Sequence, residues 1–383
     1  MDIRWMEFKL LDKSTNHASR TEMIKRISAK GHDIRYYCGY KKEKKDFGLP
    51  EGKINYLPMP PVPKLRALFF LAGILWQLKK FCFFRRPHVL IIDYAINLWA
   101  FPVLLFKKVG NRKTKVILDV RTFPVNVAKY SRSRRFFFFS LFLARLTCDG
   151  ITFITPFMRE YCWNKVGLAK KKSSTWTSGF SQDIFQPSLY PKKRKEGPFE
   201  MFYHGGISLD RGVGSLMESC RLLRDRGYPV SLKLIGNVVE KKEIQKLIRD
   251  LDLDRECRIY PPVPHEEIPP LIACSDLPVI PLPDFIGWRV SSPIKLMEYM
   301  AMGKSVVLTD IEAHRHVADD QPFAFFARTS RPEDIADAVA RAYQARDELD
   351  GRGKKAREVA LEQYTWEHQA VKLLSFMESL QPE

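Results

Sequence analysis

Short apolar runs alternate with amphipathic stretches along almost the whole chain. In the first half, Ile3–Phe8, Asp33–Cys38, Lys53–Leu57, His88–Asp93, Lys115–Asp119 and Gly150–Ile154 have the length and composition of strands. Helical spacing fills most of the gaps, at Thr21–Lys30, Leu65–Phe84, Leu98–Lys108 and Arg134–Thr147. The second half repeats the rhythm. Its strand candidates are Met201–His204, Ser231–Ile235, Arg258–Tyr260, Leu277–Pro281, Ser305–Leu308 and Phe323–Phe326. Its helix candidates are Gly214–Arg226, Lys241–Asp250, His265–Ser275, Pro293–Met302, Pro332–Glu348 and Trp366–Leu380. Between the halves, Ala169–Pro198 breaks the alternation with lysines, a Ser/Thr cluster and three prolines, which sets an inter-domain linker near 186–198. Alternating β and α implies parallel sheets covered by helices. The pattern therefore predicts an α/β chain of two tandem doubly wound, Rossmann-like domains, 1–187 and 198–365, facing across a cleft.

Length agrees, since 383 residues exceed one ordinary core. Seven cysteines are scattered and odd in number, with no CxxC pair, so neither a disulfide framework nor a structural zinc site is expected, and a reducing cytoplasmic setting fits. Charge changes the picture more. Residues 1–190 hold 35 Lys and Arg against 13 Asp and Glu, whereas residues 191–383 hold 28 against 31. The basic half should therefore face a negatively charged partner. No cleavable signal is evident, and the longest apolar run, Ala67–Trp76, reaches only Leu78 across Gln77, short of the roughly 20 residues a span requires. Basic residues flank it, from Lys64 to Arg86, and a second block couples Arg132, Arg134 and Arg135 to Phe136–Phe139. Such blocks suit either a buried helix with a charged rim or a helix lying in an anionic membrane interface; their recurrence favours the membrane. No nucleic-acid recognition module is visible, so nucleic acid is not an expected partner.

Candidate chemistry concentrates in the second half. In Ser292–Asp310, Ser292 and Pro293 read as the start of a helix that Gly303 ends, before a buried strand. Lys295 and Glu298 share one stripe of that helix at i, i+3. A helix N-terminus, a lysine and a carboxylate in one locality suit a phosphate plus a hydroxylated sugar; an ordinary surface ion pair is the equal alternative. The first strand of this half runs into His204-Gly205-Gly206-Ile207-Ser208-Leu209-Asp210-Arg211-Gly212. Glycines there let backbone N–H groups approach an anion, and Arg211 offers a bidentate donor.

These segments resemble the family 4 retaining glycosyltransferases of the GT-B fold. The glycine loop with Arg211, the Gly236-Asn237 turn, the Val263-Pro-His-Glu-Glu-Ile-Pro269 segment, Ala273–Asp276 with Pro278–Pro281, Glu298–Val307, and Tyr364–Glu367 follow the family's order. The resemblance implies that Glu298 binds a donor ribose and that Arg211 and Lys295 hold a diphosphate. Gly205, Gly206, Gly236, Asn237, Val263, Gly287 and Ser292 complete the donor site it implies. It also implies that the first domain binds the acceptor and that the last helix, 366–383, packs back onto that domain.

Two departures stand out. The family often carries a second glutamate eight residues before the first, and Val290 occupies that position. Donor-sugar contacts are then expected from backbone amides and Arg289. The usual glycine-rich acceptor loop is replaced by Lys13–Ser19, which leaves Asn16 and His17 as acceptor candidates beside Asp93. Asp119-Val-Arg121 resembles a D-x-R loop of some relatives, able to position an acceptor hydroxyl and the leaving phosphate; a loop-stabilising ion pair is the equal alternative. Asp250, Asp252 and Asp254 read as a solvated turn, and His314 and His316 lack an evident third ligand. The expectation is a metal-free, cofactor-free enzyme, with Asp119, Arg121, Arg211 and Lys295 as catalytic residues. It would move a hexosyl or N-acetylhexosaminyl group from a UDP-linked donor to a glycan or lipid-linked glycan at the inner membrane face. A non-catalytic GT-B subunit binding nucleotide or a partner enzyme is the alternative that Val290 motivates.

Overall fold

A computed structural model describes the chain except residues 12–17, 41–43, 45–46, 58–61, 112, 125–129, 168–172, 192–196 and 382–383. The chain folds into two compact units, Met1–Thr177 with Trp366–Glu383, and Ser178–Thr365. The first break thus falls at Thr177, ahead of the expected linker at 186–198. Pro187, on which that expectation partly rested, opens a short 3-10 turn inside the second unit.

The first unit begins with β1 (Asp2–Leu11), α1 (Ala18–Ala29), β2 (Asp33–Tyr40) and β3 (Ile54–Tyr56). Next come α2 (Pro63–Lys79), which continues as a π-helical turn over Lys80–Arg85, and β4 (Val89–Ile92). Then follow α3 (Tyr94–Trp99), α4 (Phe101–Gly110), β5 (Lys115–Val120), α5 (Tyr130–Thr147) and β6 (Gly150–Phe153). α6 (Pro156–Val166) and β7 (Ser173–Thr175) complete it. The seven strands are parallel in the order β3-β2-β1-β4-β5-β6-β7, with Ile3 opposite both Ile34 and Val89. A sheet covered by helices needs apolar residues on both faces of its strands, as β4 shows, with all four residues buried.

The second unit runs β8 (Phe199–His204), α7 (Val213–Asp225), β9 (Val230–Ile235), α8 (Lys241–Asp250) and β10 (Cys257–Tyr260). It continues through α9 (Ile268–Cys274), β11 (Leu277–Ile280), α10 (Ile286–Arg289), α11 (Ile294–Ala301) and β12 (Val306–Thr309). α12 (Glu312–Ala318), β13 (Ala324–Ala327), α13 (Pro332–Gln344) and α14 (Leu349–Gln363) end it. Its six strands are parallel in the order β10-β9-β8-β11-β12-β13. Both sheets are therefore doubly wound, and each reverses its strand order once, beside β1 and beside β8.

The last helix, α15 (Trp366–Ser379), belongs to the first unit. Trp366, Ala370, Leu373 and Met377 join Ile3, Trp5, Ile24, Ile27 and Ile91 in one core. Gln369 Oε1 accepts the Thr177 N–H at 2.9 Å, fixing the point where the chain leaves the unit.

Several elements differ from the sequence pattern. α6 and β7 were not expected, although Thr155 caps α6 by accepting the Met158 N–H at 3.0 Å and Gly167 ends it in the left-handed region. The helix expected over Leu98–Lys108 is two helices divided at Ala100, the second opening with Phe101-Pro102. The helix expected over Pro332–Glu348 stops at Gln344, and α14 follows. Ser292 does not cap α11. Pro293 takes the N-cap position, and the Ser292 hydroxyl instead accepts the Ser178 N–H at 3.2 Å.

Candidate functional site

β8 ends at His204 and the chain turns through Gly205 and Gly206 into the short turn Leu209–Arg211 before α7. β8 pairs with β9 on one side and β11 on the other, so this turn leaves the sheet where the strand order reverses. Ligands of such sheets bind outside the carboxyl ends of the strands at that point. The loops converge there because two positions carry no side chain. Gly236, with φ +149°, lies so close to Gly205 that a Cβ would overlap the Gly205 carbonyl oxygen. Gly212, with φ +76°, meets the Pro281 carbonyl in the same way.

α11 brings Lys295 and Glu298 to this turn. Glu298 is almost fully buried, and each of its oxygens meets an imidazole: Oε2 lies 2.7 Å from His204 Nε2, and Oε1 lies 2.7 Å from His265 Nε2. The His204 tautomer follows from its neighbours. The Tyr299 hydroxyl accepts the His204 backbone N–H at 3.2 Å and stands 3.0 Å from Nδ1, so it donates its proton to Nδ1. Nε2 then carries the ring proton and donates to Glu298. Burial lowers the His204 pKa, consistent with this neutral ring. Burial alone would raise the Glu298 pKa, yet the hydrogen bonds from His204 and His265 hold it well below the usual carboxylate range. Glu298 is thus a fixed anion, and a carboxylate that accepts two bonds keeps lone pairs for two further donors.

The two cations are differently placed. Lys295 Nζ is buried without a hydrogen-bond partner, 3.6 Å above the Tyr203 ring. Burial first, and then the charge of Arg211, push its pKa well below the ordinary lysine value, with Glu298 opposing. A Cβ on Gly205 would approach Lys295 Nζ to 3.3 Å, so the ammonium lies directly against the glycine turn. Arg211 is half-buried; its guanidinium stacks over Trp288 at 4.9 Å, and its Nε lies 3.3 Å from where a Gly206 Cβ would stand. Trp288 is itself anchored by donating Nε1–H to the Asp210 carbonyl at 3.0 Å. The arrangement offers one anion for paired hydroxyls and two cations for a diphosphate.

The structure therefore groups Gly205, Gly206, Arg211, Gly236, Lys295 and Glu298. Asn237 is exposed, and its carbonyl accepts the Ile207 N–H at 2.9 Å. Val263 is half-buried in the segment that carries His265. Gly287 is buried in α10 beside Trp288. Ser292 is tied to Ser178 rather than open to a ligand, its carbonyl accepting the Ser178 hydroxyl at 2.7 Å. Arg289 is likewise engaged, with Asp284 and with Glu312 at 3.4 Å. Val290 is fully buried; a glutamate there would bury a carboxylate, at a cost of several kcal/mol unless paired. Asp252 and Asp254 lie exposed at the turn after α8. His204, His265, Tyr299 and Trp288 were not among the residues picked from the sequence.

The first-unit candidates have structural partners. Asp119 Oδ1 accepts from Thr152 Oγ1 at 2.7 Å and from Trp176 Nε1 at 3.1 Å. The Arg121 guanidinium stands over the Trp176 ring, 3.3 Å from its centroid, and donates to the carbonyls of Trp176 and Thr177. Both are buried, and Asp119 Oδ2 and Arg121 Nε have no hydrogen-bond partner. Asp93 caps α3: Oδ1 accepts the Ile96 N–H and Oδ2 the Phe8 N–H, each at 2.8 Å. Burial, reinforced by the charge of Glu7, raises its pKa to about 7 despite those bonds. Asn16 and His17 lie outside the described residues.

Residues 187–359 match the family model for glycosyl transferases group 1. This segment is similar to group 1 glycosyl transferases. It contains the whole Glu298 cluster. A putative colanic acid biosynthesis glycosyltransferase, WcaL of Escherichia coli K12, is 23% identical over 187 residues, 49% of this chain and 45% of that relative. The match thus spans less than half of the relative's length. Over the full chain the fold is that of solved structures at low identity. Anabaena HepE in complex with UDP has a TM-score of 0.74 at 12% identity, covering 99% of this chain and 100% of that one. Sucrose-phosphate synthase of Thermosynechococcus elongatus has a TM-score of 0.79 at 12% identity, covering 99% of both. The fold is GT-B, two Rossmann-like units with parallel sheets, and the segment matched by the family model lies in the second.

Proposed function

We propose that this chain transfers a hexosyl or N-acetylhexosaminyl group from a UDP-linked donor to a hydroxyl of a glycan or lipid-linked glycan, with retention of configuration. The observation that carries the reading is Glu298, held ionised by His204 and His265 beside the unpartnered ammonium of Lys295. Glu298 accepts from the vicinal ribose hydroxyls. Lys295 and Arg211 neutralise the diphosphate and stabilise it as it leaves. The acceptor oxygen bonds to the anomeric carbon on the face from which the C–O(phosphate) bond breaks, and its proton passes to the departing phosphate oxygen. No enzyme carboxylate serves as nucleophile in this route. The electrostatic work falls on the two side-chain cations, with no metal or cofactor called on. UDP bound to the fold-sharing HepE and the polysaccharide context of WcaL support the donor and the acceptor class.

The test is nucleotide release from a panel of UDP-, GDP- and ADP-sugars, with Glu298→Ala and Arg211→Ala as controls. Release of UDP from one UDP-sugar, reduced at least about tenfold in both variants, is expected. Tight donor binding with no turnover on any acceptor would instead favour a non-catalytic nucleotide-binding subunit, the reading that the buried Val290 supports.

A further inference from the structure

We infer that the helical layer of the first unit formed by α2 with its π turn, α4 and α5 is a docking face for an anionic membrane. This inference does not depend on the transfer reading. α4 packs between α2 with its π turn on one side and α5 on the other, so the three form one continuous layer. Their inner sides are already satisfied. Phe70, Ile74 and Leu78 of α2, Leu104 of α4, and Phe137 and Leu141 of α5 are buried, and Phe70 stacks on Phe8 at 4.9 Å. In a soluble protein the outer side of such a layer should be polar. Here it is not. Among the described residues, twelve of the twenty exposed large hydrophobics lie on these helices, including Trp76, Phe84, Phe106, Val109, Phe139 and Phe142.

The charge pattern selects the occupant. Segments 63–86, 101–110 and 130–147 hold twelve Lys and Arg and no Asp or Glu. Lys107 turns inward to Asp149 at 3.3 Å, whereas Lys79, Arg85, Arg86, Arg132, Arg135 and Arg145 are exposed around the apolar side chains. A second copy of this face would bring like charges together. A nucleic acid would answer the cations but leave Leu68, Leu105, Val109 and Leu146 uncovered. An anionic lipid surface satisfies both, with phosphates against the guanidinium and ammonium groups and acyl chains against the aromatic and aliphatic ones. The segment Ala67–Arg85 is, by length and composition alone, able to cross a membrane, which the shorter run seen in the sequence did not suggest. Its inner face is pinned instead: Phe81 packs edge-on against Tyr37 at 5.2 Å, and Asn111 donates to the Cys82 carbonyl at 2.7 Å. The layer therefore lies on the surface rather than crossing it.

Vesicle flotation with the full chain tests this. Vesicles of phosphatidylcholine alone are compared with vesicles containing about one third phosphatidylglycerol. Binding should require the anionic lipid, weaken with added salt, and be released by alkaline carbonate. Neutralising Lys79, Arg85 or Arg135 to Gln should weaken it about fivefold each. Trp76→Ser with Phe106→Ser, exposed positions that leave the inner packing intact, should abolish it while the thermal unfolding midpoint stays within a few degrees of the parent. Equal binding to neutral vesicles, variants that bind like the parent, or carbonate-resistant insertion would overturn the proposal. So would a concentration-dependent dimer, or a complex with single- or double-stranded DNA, that these substitutions abolish while no vesicle is bound.

Discussion

A buried amino group with no hydrogen-bonding partner is an unstable arrangement, and Lys295 is held in one. Its pKa is pushed far down by burial and by Arg211, so the residue waits for an anion. A diphosphate docking against Nζ would supply the missing partner and raise that pKa again. Binding should then take up a proton in the window between the depressed free value and the higher bound value. Affinity should accordingly fall as pH rises through that window. Calorimetry of UDP in two buffers of different ionisation heat checks this: proton uptake is expected for the parent and should vanish in Lys295→Met. Equal uptake in both proteins would assign the proton elsewhere. Glu298 shows why such a site is only partly legible in a sequence. Its own position follows from helical spacing, because residues three apart share a face. Its clamp does not: His204 and His265 stand 94 and 33 residues away, and only the folded chain brings them to 2.7 Å. Ser292 is the converse case: the cap position expected for it falls to Pro293, and its hydroxyl instead accepts the N–H of Ser178, 114 residues distant.

The elements around the site depend on close backbone approach more than on helix strength. Gly236 closes the loop after β9 against Gly205, in a conformation that an L side chain rarely adopts. Gly236→Ala should therefore destabilise the second unit by at least ~2 kcal/mol, from backbone strain and displacement of the Gly205 carbonyl together. Urea unfolding monitored by far-ultraviolet circular dichroism would measure it; a parental midpoint would mean that the loop yields without cost. Strand positions were the most legible feature of the sequence, since a doubly covered parallel sheet demands apolar runs such as Leu277–Ile280, buried at every residue. Helix limits were less so. The helix expected over Leu65–Phe84 reaches into the π turn at Lys80–Arg85, but no distinctive residue announces the change of pitch. The edge strand β7 has only three residues, each half-buried, and leaves no apolar run.

At the scale of the whole molecule, the alternation of strands and helices predicted two doubly wound sheets, and both are present. The boundary at Thr177 was missed because Pro187, which helps punctuate 186–198, lies within the second unit rather than before it. Charge asymmetry was legible as composition, and the recurrence of basic aromatic blocks already pointed to a membrane surface. The sequence exposed two basic aromatic blocks, and the fold joins them through α4 into one carboxylate-free layer. The two units thus carry different chemistry: exposed cations among apolar side chains on the first, a fixed anion with two cations at a strand-order reversal in the second. The central claim is that this second cluster binds a nucleoside diphosphate. Titration of UDP into the parent and Glu298→Ala by calorimetry tests it most directly, with thermal melts confirming that the variant is folded. The account predicts saturable binding to the parent, weakened at least about thirtyfold in the variant, from two lost hydrogen bonds to a charged acceptor. Undiminished affinity in a folded Glu298→Ala protein, or no binding of UDP, GDP or ADP by the parent, would contradict it.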